Sequence, residues 1–372
     1  MRLRLPRVPL YRRLVRPLLF LFPPELAHGV TSWLLRRKLA RVAIRVRAFS
    51  YPLSSPVLST QIAGLNISSP VGLAAGYDKN CEEVAPLMDL GFGYVVGGTV
   101  MYSPQPGNPA PRLTRISREE SMINSMGFPS KGVGAVQRIL RGERKRPKPL
   151  VISVSGHTQE EMLACHAAME PFSDAIEINI SSPNTASLKV FRELAAFAEL
   201  LEKANAMRSK PLFIKLPFYS DPLGQERVLG LVRIARDKGL DGVTASNASL
   251  VSAPMMATGW GGLSGRALFK DTLRIVKEVR AEAGESMVVN GLGGIFTAED
   301  AFSVLEAGAD TIQLLTGLVY EGPGIAAALN RGLAELFHSK NISSVTELTR
   351  CARIRTSTDT LTESLRESRI PV

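Results

Sequence analysis

Apolar and polar positions along the chain alternate between two periods. Eight short, mostly apolar runs end in glycine, proline or small polar residues: Val71 to Gly76, Tyr94 to Val100, Leu150 to Gly156, Ala175 to Ser181, Leu212 to Pro217, Gly242 to Asn247, Met287 to Gly294 and Thr311 to Gly317. Between them, apolar residues recur at helical spacing over Cys81 to Leu90, Thr158 to Glu170, Ser187 to Met207, Leu223 to Lys238, Ala267 to Ala283, Ala298 to Ala307 and Gly324 to Phe337. Buried parallel strands read as continuous apolar runs, whereas amphipathic helices space apolar residues three or four apart. Eight such alternations predict an α/β fold, a (β/α)8 TIM barrel with its site at the C-terminal strand ends. A doubly wound sheet is the alternative, but no G-x-G-x-x-G opens a helix after the first strand.

On this reading the barrel domain spans 51–338, preceded by a segment 1–50 and followed by a Ser/Thr/Arg-rich tail, 339–372. The tail is expected to be a short polar helix or disordered. The longest insert, Tyr102 to Lys148, carries Pro104, Pro106, Pro109 and Pro111 around Gly107 and Asn108. It is expected to cover the barrel mouth as loops and a small hairpin.

Charge changes the picture at the N-terminus. The first 50 residues hold twelve Lys and Arg against one acid, Glu25, a formal +11 that equals the net charge of the whole chain. Leu14, Val15, Leu18 to Phe22, then Leu26, Val30, Trp33, Leu34 and Leu35 interleave with those cations at helical spacing. That is the composition of a small amphipathic helical extension lying on an anionic membrane surface. The longest unbroken apolar run is about five residues, far short of the roughly 20 a spanning helix needs. A nucleic-acid arm, a cleaved targeting peptide and a helical pair merely packed on the barrel are the other readings.

Three cysteines, Cys81, Cys165 and Cys351, lack C-x-x-C spacing, and with four histidines no cluster resembles a metal site. Free thiols in a reducing cytosol are expected, with no metal cofactor.

The densest chemistry is the octapeptide Ile178 to Thr185. It sets Asn179, Ser181, Ser182, Asn184 and Thr185 at the exit of a buried strand, offering hydroxyls and amides but no fixed charge. A plain Asn-Pro-Asn turn is the competing reading.

Taken together, the octapeptide, Gly72 to Lys79, Gly98-Thr99-Val100, Pro104 to Pro109, Ile123 to Phe128, Ile214-Lys215, Gly261 to Arg266, Gly291 to Gly294 and Glu321-Gly322-Pro323 resemble the quinone-linked, class 2 dihydroorotate dehydrogenases. The resemblance spans roughly residues 10 to 335. It implies FMN-dependent oxidation of dihydroorotate to orotate in pyrimidine (UMP) synthesis, with electrons passed to a membrane quinone. It implies peripheral membrane association, on the cytoplasmic face of the inner membrane, and no nucleic-acid partner.

By the same resemblance Ser182 is the catalytic base, with Thr185 and Phe128 on its proton path. Lys79, Asn124, Asn179, Asn184 and Asn247 are implied to bind substrate. Lys215 is implied to face the edge of the flavin that becomes negative on reduction. Ala75, Gly76, Thr99, Ser153, Asn179, Ser246 and Gly265 are implied to complete the flavin pocket. The Gly293-Gly294 turn and Leu315-Thr316-Gly317 are implied to cradle its phosphate, the usual place after the last two barrel strands.

The chain departs from the class 2 pattern at Ser125, usually arginine; Pro129, usually asparagine; Ala248, usually threonine; and along Ser153, Ser155, Gly156 and His157, where the pattern is Asn-x-Gly-x-Asn. Those changes keep two further readings open: an FMN oxidoreductase of the same fold acting on another cyclic amide or enone, and a catalytically silent, membrane-recruited barrel.

Overall fold

Val-, Ile- and Leu-rich runs fill the strands of a closed parallel barrel, seen in a computed structural model that describes residues 11–37, 55–142, 146 and 148–354. A hairpin of β1 (Thr60–Ile62) and β2 (Leu65–Ile67) precedes β3 (Val71–Leu73) and β4 (Tyr94–Val100). The insert contributes β5 (Leu113–Ile116) and β6 (Ser121–Asn124), and the barrel continues with β7 (Leu150–Val154), β8 (Ala175–Asn179), β9 (Leu212–Lys215) and β10 (Gly242–Ala245). A second hairpin, β11 (Ser249–Ser252) and β12 (Trp260–Gly265), comes before β13 (Val288–Leu292) and β14 (Thr311–Leu314). The barrel closes in the order β3-β4-β7-β8-β9-β10-β13-β14, one strand for each predicted run.

Alternate residues of each strand serve two cores. Ile176 and Ile178 join the large cluster packed against the helices, whereas Ala175 packs inward with Val96, Val151, Phe213 and Val288. Ile62 and Ile67 of the first hairpin join that inner cluster. Apart from β4, the strands are shorter than the apolar runs, and the residues that leave the ladder after β3, β10, β13 and β14 line the mouth.

Three expectations are corrected. The expected hairpin in the insert is present, but β12 pairs with β6, so the mouth carries a four-stranded sheet, β11-β12-β6-β5. The insert also holds an unanticipated helix, Val133–Arg141, with Val136 and Leu140 buried. The predicted helix from Ser187 to Met207 is broken: a 3-10 segment, Ala186–Arg192, is followed at extended Glu193 by the α-helix Leu194–Met207.

Of the basic segment, residues 1–10 and 38–50, Lys38 among them, lie outside the described residues, as do 355–372 of the tail. The rest of the segment forms a helical turn, Tyr11–Val15, running into helix Arg16–Phe20 and then helix Pro24–Leu35. The tail is helical over 345–354, burying Val345, Leu348 and Ala352, and Arg353 reaches Asp310 at 2.6 Å. Cys81 and Cys165 are buried and Cys351 is exposed, and none of the three is in a disulfide among the described residues.

Candidate active site

A single hydrogen-bonded chain crosses the barrel mouth. Ser153 Oγ on β7 lies 3.0 Å from Thr99 Oγ1 on β4, which accepts from Asn179 Nδ2 at 3.1 Å. Asn179 Oδ1 accepts from the backbone amide of Ser181 (3.1 Å) and from its hydroxyl (2.7 Å). Asn247 Nδ2, beyond β10, donates to Ser181 Oγ at 2.7 Å. Buried polar groups partnered this fully hold one geometry.

The octapeptide then turns over the mouth. Ser182 Oγ stands 3.2 Å from Thr185 Oγ1 and accepts the Asn184 backbone N–H at 3.3 Å. Arg192 fixes the turn from beneath, donating to the carbonyls of Ser182 (2.7 Å) and Ile180 (3.2 Å). Asn184 Nδ2 donates to the Asn124 carbonyl at 3.0 Å, and its buried Oδ1 has no partner among the described residues. Asn124 Nδ2 donates to Gly262 O at 3.4 Å, which ties the turn to the four-stranded sheet. Phe128 takes a left-handed conformation, φ +56°, while its carbonyl accepts from Gln105 Nε2 at 2.8 Å.

These residues surround one cavity of about 800 Å³. Lys79, Asn124, Phe128, Asn179, Ser182, Asn184 and Asn247 line it, as do Ala75, Gly76, Thr99, Lys215, Ser246, Gly265, Gly293, Gly294, Leu315 and Thr316. Ser153 and Thr185 stand one hydrogen bond behind the lining. Of the positions that depart from the class 2 pattern, Pro129 and Ala248 face the cavity, while Ser125 is buried off it with its hydroxyl unpartnered among the described residues.

Two lysines line this space. Lys79 Nζ donates to Gly76 O at 2.7 Å, and burial pushes its ammonium below the ordinary lysine value. Lys215 is 5% exposed and donates no hydrogen bond to any described residue; burial lowers its pKa and the charge of Glu177 opposes that. Opposite lies a turn that must be glycine: Gly294 has φ +67°, and a Cβ there would stand 2.7 Å from Phe269 N. That turn adjoins the first turn of helix Thr316–Glu321, whose leading amides have no helical acceptor. Small residues, a free buried cation and unpaired amides suit a planar, anionic, phosphate-bearing group.

The N-terminal helices form the outer wall of the same cavity, through Tyr11, Leu19, Phe20, His28, Thr31 and Leu35. Tyr11 donates to Val319 O at 2.8 Å and lays its ring on Gly322, where a Cβ would come within 2.3 Å of it. Ion pairs Arg112–Glu25 (3.0 Å), Arg36–Glu83 (2.9 Å) and Arg12–Glu120 (3.4 Å) pin the pair to the barrel. His28 Nε2 lies 2.9 Å from Tyr77 O, and burial, then the nearby Lys79, push its pKa down to about 4. The imidazole is therefore neutral at physiological pH.

Arg192, His28 and Glu177 are absent from the sequence expectations. Arg192 and His28 act on backbone carbonyls, which leave no mark in a sequence. Glu177 does leave one, a carboxylate inside an otherwise apolar strand run.

With this geometry in place, the comparisons with known proteins are specific. The profile of the family described as dihydroorotate dehydrogenase matches residues 57–337. A dihydroorotate dehydrogenase (quinone) of Roseiflexus castenholzii is 35% identical over 353 residues, covering 90% of this chain and 95% of that protein. One from Halobacterium salinarum is 36% identical over 347 residues, with coverages of 89% and 97%. Among solved structures, that of DHODH from Eimeria tenella in complex with ferulenol superposes with a TM-score of 0.77 at 27% identity, covering 88% of this chain and 94% of that one.

Proposed function

Because the chain belongs to the dihydroorotate dehydrogenase family, we propose a division of its reaction between the barrel mouth and the N-terminal helices. The enzyme oxidises dihydroorotate to orotate in pyrimidine biosynthesis and passes the electrons to a quinone. The family depends on a flavin, and in this reading the flavin is FMN. When bound, FMN would accept the hydride that leaves the substrate ring and give its electrons up to the quinone. Lys215 would hold the flavin edge that gains charge, Gly293, Gly294 and Thr316 the phosphate, and Ala75, Gly76, Thr99, Ser246 and Gly265 the flat ring.

Ser182 removes the proton from the carbon beside the ring carbonyl. A serine hydroxyl is a weak base, and two features of the site help it. The Asn184 N–H on Ser182 Oγ stabilises negative charge there. Thr185 Oγ1, 3.2 Å away, takes the proton onward, while Phe128 limits water on that side. The unpartnered Asn184 Oδ1 offers an acceptor to a ring N–H, with Asn124, Asn179 and Asn247 completing the amide set. Lys79 holds the substrate carboxylate.

The observation that carries this reading is the continuity of one cavity from Ser182 and Lys215 to the inner faces of the N-terminal helices. Nine of the eighteen large apolar side chains exposed among the described residues lie in the segment 11–35 that holds those helices, Leu18, Leu21 and Trp33 among them. No described helix is long and apolar enough to cross a membrane. In this reading the basic, apolar segment docks on an anionic bilayer surface, at the cytoplasmic face of the inner membrane, and admits quinone from the lipid.

The test is anaerobic mixing of the flavin-loaded enzyme with dihydroorotate. Ser182→Ala is expected to keep its flavin and to slow flavin reduction by about 10²-fold or more, the usual contribution of a positioned base. Reduction at the wild-type rate would reject Ser182 as the base.

A further inference from the structure

The interiors of barrels of this kind are usually packed with branched apolar side chains. Here a polar layer lies beneath the mouth. Glu177 on β8, 1% exposed, shares the inward face of Ala175 and Asn179. Its Oε2 accepts from Thr244 Oγ1 at 2.7 Å, and Thr244 accepts in turn from Asn290 Nδ2 at 3.3 Å. Asn290 Oδ1 accepts from Thr311 Oγ1 (2.6 Å), which stands 2.7 Å from Tyr94 OH. Glu177 Oε1 is buried with no partner among the described residues. The layer satisfies one carboxylate oxygen and leaves the other bare.

A bare carboxylate in a dry interior stays ionised only if a cation compensates it. Lys215 meets that need. In the sheet register Asn179 pairs with Lys215 and Glu177 with Phe213, so the lysine sits one inward position nearer the mouth on the adjoining strand. Thr244, which binds Glu177, pairs with Lys215 from the other side. Two titratable groups feel the Glu177 charge: Lys215 on β9, and Tyr94 on β4, whose hydroxyl burial holds protonated far above its ordinary range. Tyr94 has its own hydrogen-bond partner in Thr311, whereas Lys215 has none among the described residues.

We propose that Glu177 is a positioning residue for the redox site, the buried carboxylate that keeps Lys215 protonated and so fixes the charge that the flavin edge meets. The proposal rests on the flavin reading above. Burial alone drives Lys215 toward its neutral form, and Glu177 opposes it. A neutral lysine would no longer favour the reduced, negatively charged ring.

Glu177→Gln isolates the charge, because the glutamine carbonyl can still accept from Thr244 and the volume is kept. The midpoint potential of the bound flavin, measured against pH, is the readout. We expect the variant to lose about tenfold of its preference for reduced over oxidised flavin at neutral pH, about 30 mV for a two-electron couple. We also expect an added pH slope where Lys215 titrates, absent from the wild type, and a Glu177→Gln/Lys215→Met double variant whose potential matches Lys215→Met alone. A potential that rises or stays level with unchanged slope overturns the proposal, as do additive effects in the double variant.

A second measurement needs no flavin. In apo Lys215→Met the stranded carboxylate should protonate, giving an infrared carboxylic-acid band that Glu177→Gln removes. Its absence overturns the coupling even if Glu177→Gln fails to fold. A wild-type protein that binds no flavin would instead refute the cofactor reading while leaving the infrared result standing.

Discussion

Two lysines face one cavity, Lys215 buried and Lys79 half-buried, and their partners separate their chemistry. Lys79 Nζ rests on the Gly76 carbonyl at 2.7 Å near the surface of the mouth, where a carboxylate can displace or share that bond. Lys215 lies deeper, without a hydrogen bond to any described residue and with Glu177 below it. Burial pushes Lys79 below the ordinary lysine value of 10.5, so its ammonium persists below the lowered pKa and is lost as pH rises through it. Orotate affinity should therefore fall as pH rises, with a break below 10.5. Lys79→Met should weaken orotate about tenfold to a hundredfold, the worth of a charged hydrogen bond, and flatten that pH profile. Calorimetric titration of orotate across pH checks both; a break that persists in Lys79→Met would assign it to another group.

At the scale of elements, the turn that carries Ser182 is held by a side chain from the following segment. The apolar spacing from Ser187 to Met207 predicts one helix, yet the chain breaks at Glu193 with neither proline nor glycine to mark it. The break lets Arg192 reach back to the Ser182 and Ile180 carbonyls, so a tertiary contact overrides a local pattern. Arg192→Ala should slow flavin reduction by about tenfold or more, through loss of charged hydrogen bonds that position Ser182. Reoxidation by quinone should be unchanged and proteolytic cleavage within 183–193 faster. Equal losses in both half-reactions would make Arg192 a general stability residue.

The eight barrel strands are legible because both faces of each are buried, which forces a continuous apolar run. The octapeptide and the glycine turn are legible because hydroxyls, amides and φ-permissive residues sit at the strand ends. Helix Val133–Arg141 carries the same helical spacing in Val133, Val136 and Leu140, but it is short and sits in a proline- and glycine-rich insert that reads as loop. The joining of β12 to β6 is not legible either, a pairing between segments more than a hundred residues apart that no local pattern records.

At the scale of the whole molecule, the barrel mouth and the helices Tyr11–Leu35 share one cavity but serve different reactants. Under the proposed function dihydroorotate, small and charged, would meet Ser182, Lys79 and the asparagines. Quinone, long and apolar, would meet Leu19, Phe20 and the neighbouring exposed apolar surface. Glycine at 322 is what lets the Tyr11 ring seat on the barrel and close that second compartment.

The most direct test of this division is anaerobic stopped-flow on the flavin-loaded protein with and without residues 1–45, following both half-reactions in turn. Dihydroorotate should reduce the flavin at closely similar rates in the two proteins, while reoxidation by a long-tailed quinone in vesicles should be lost from the truncated one. A full rate of reoxidation after truncation, or no flavin reduction by dihydroorotate in either protein, would contradict the account.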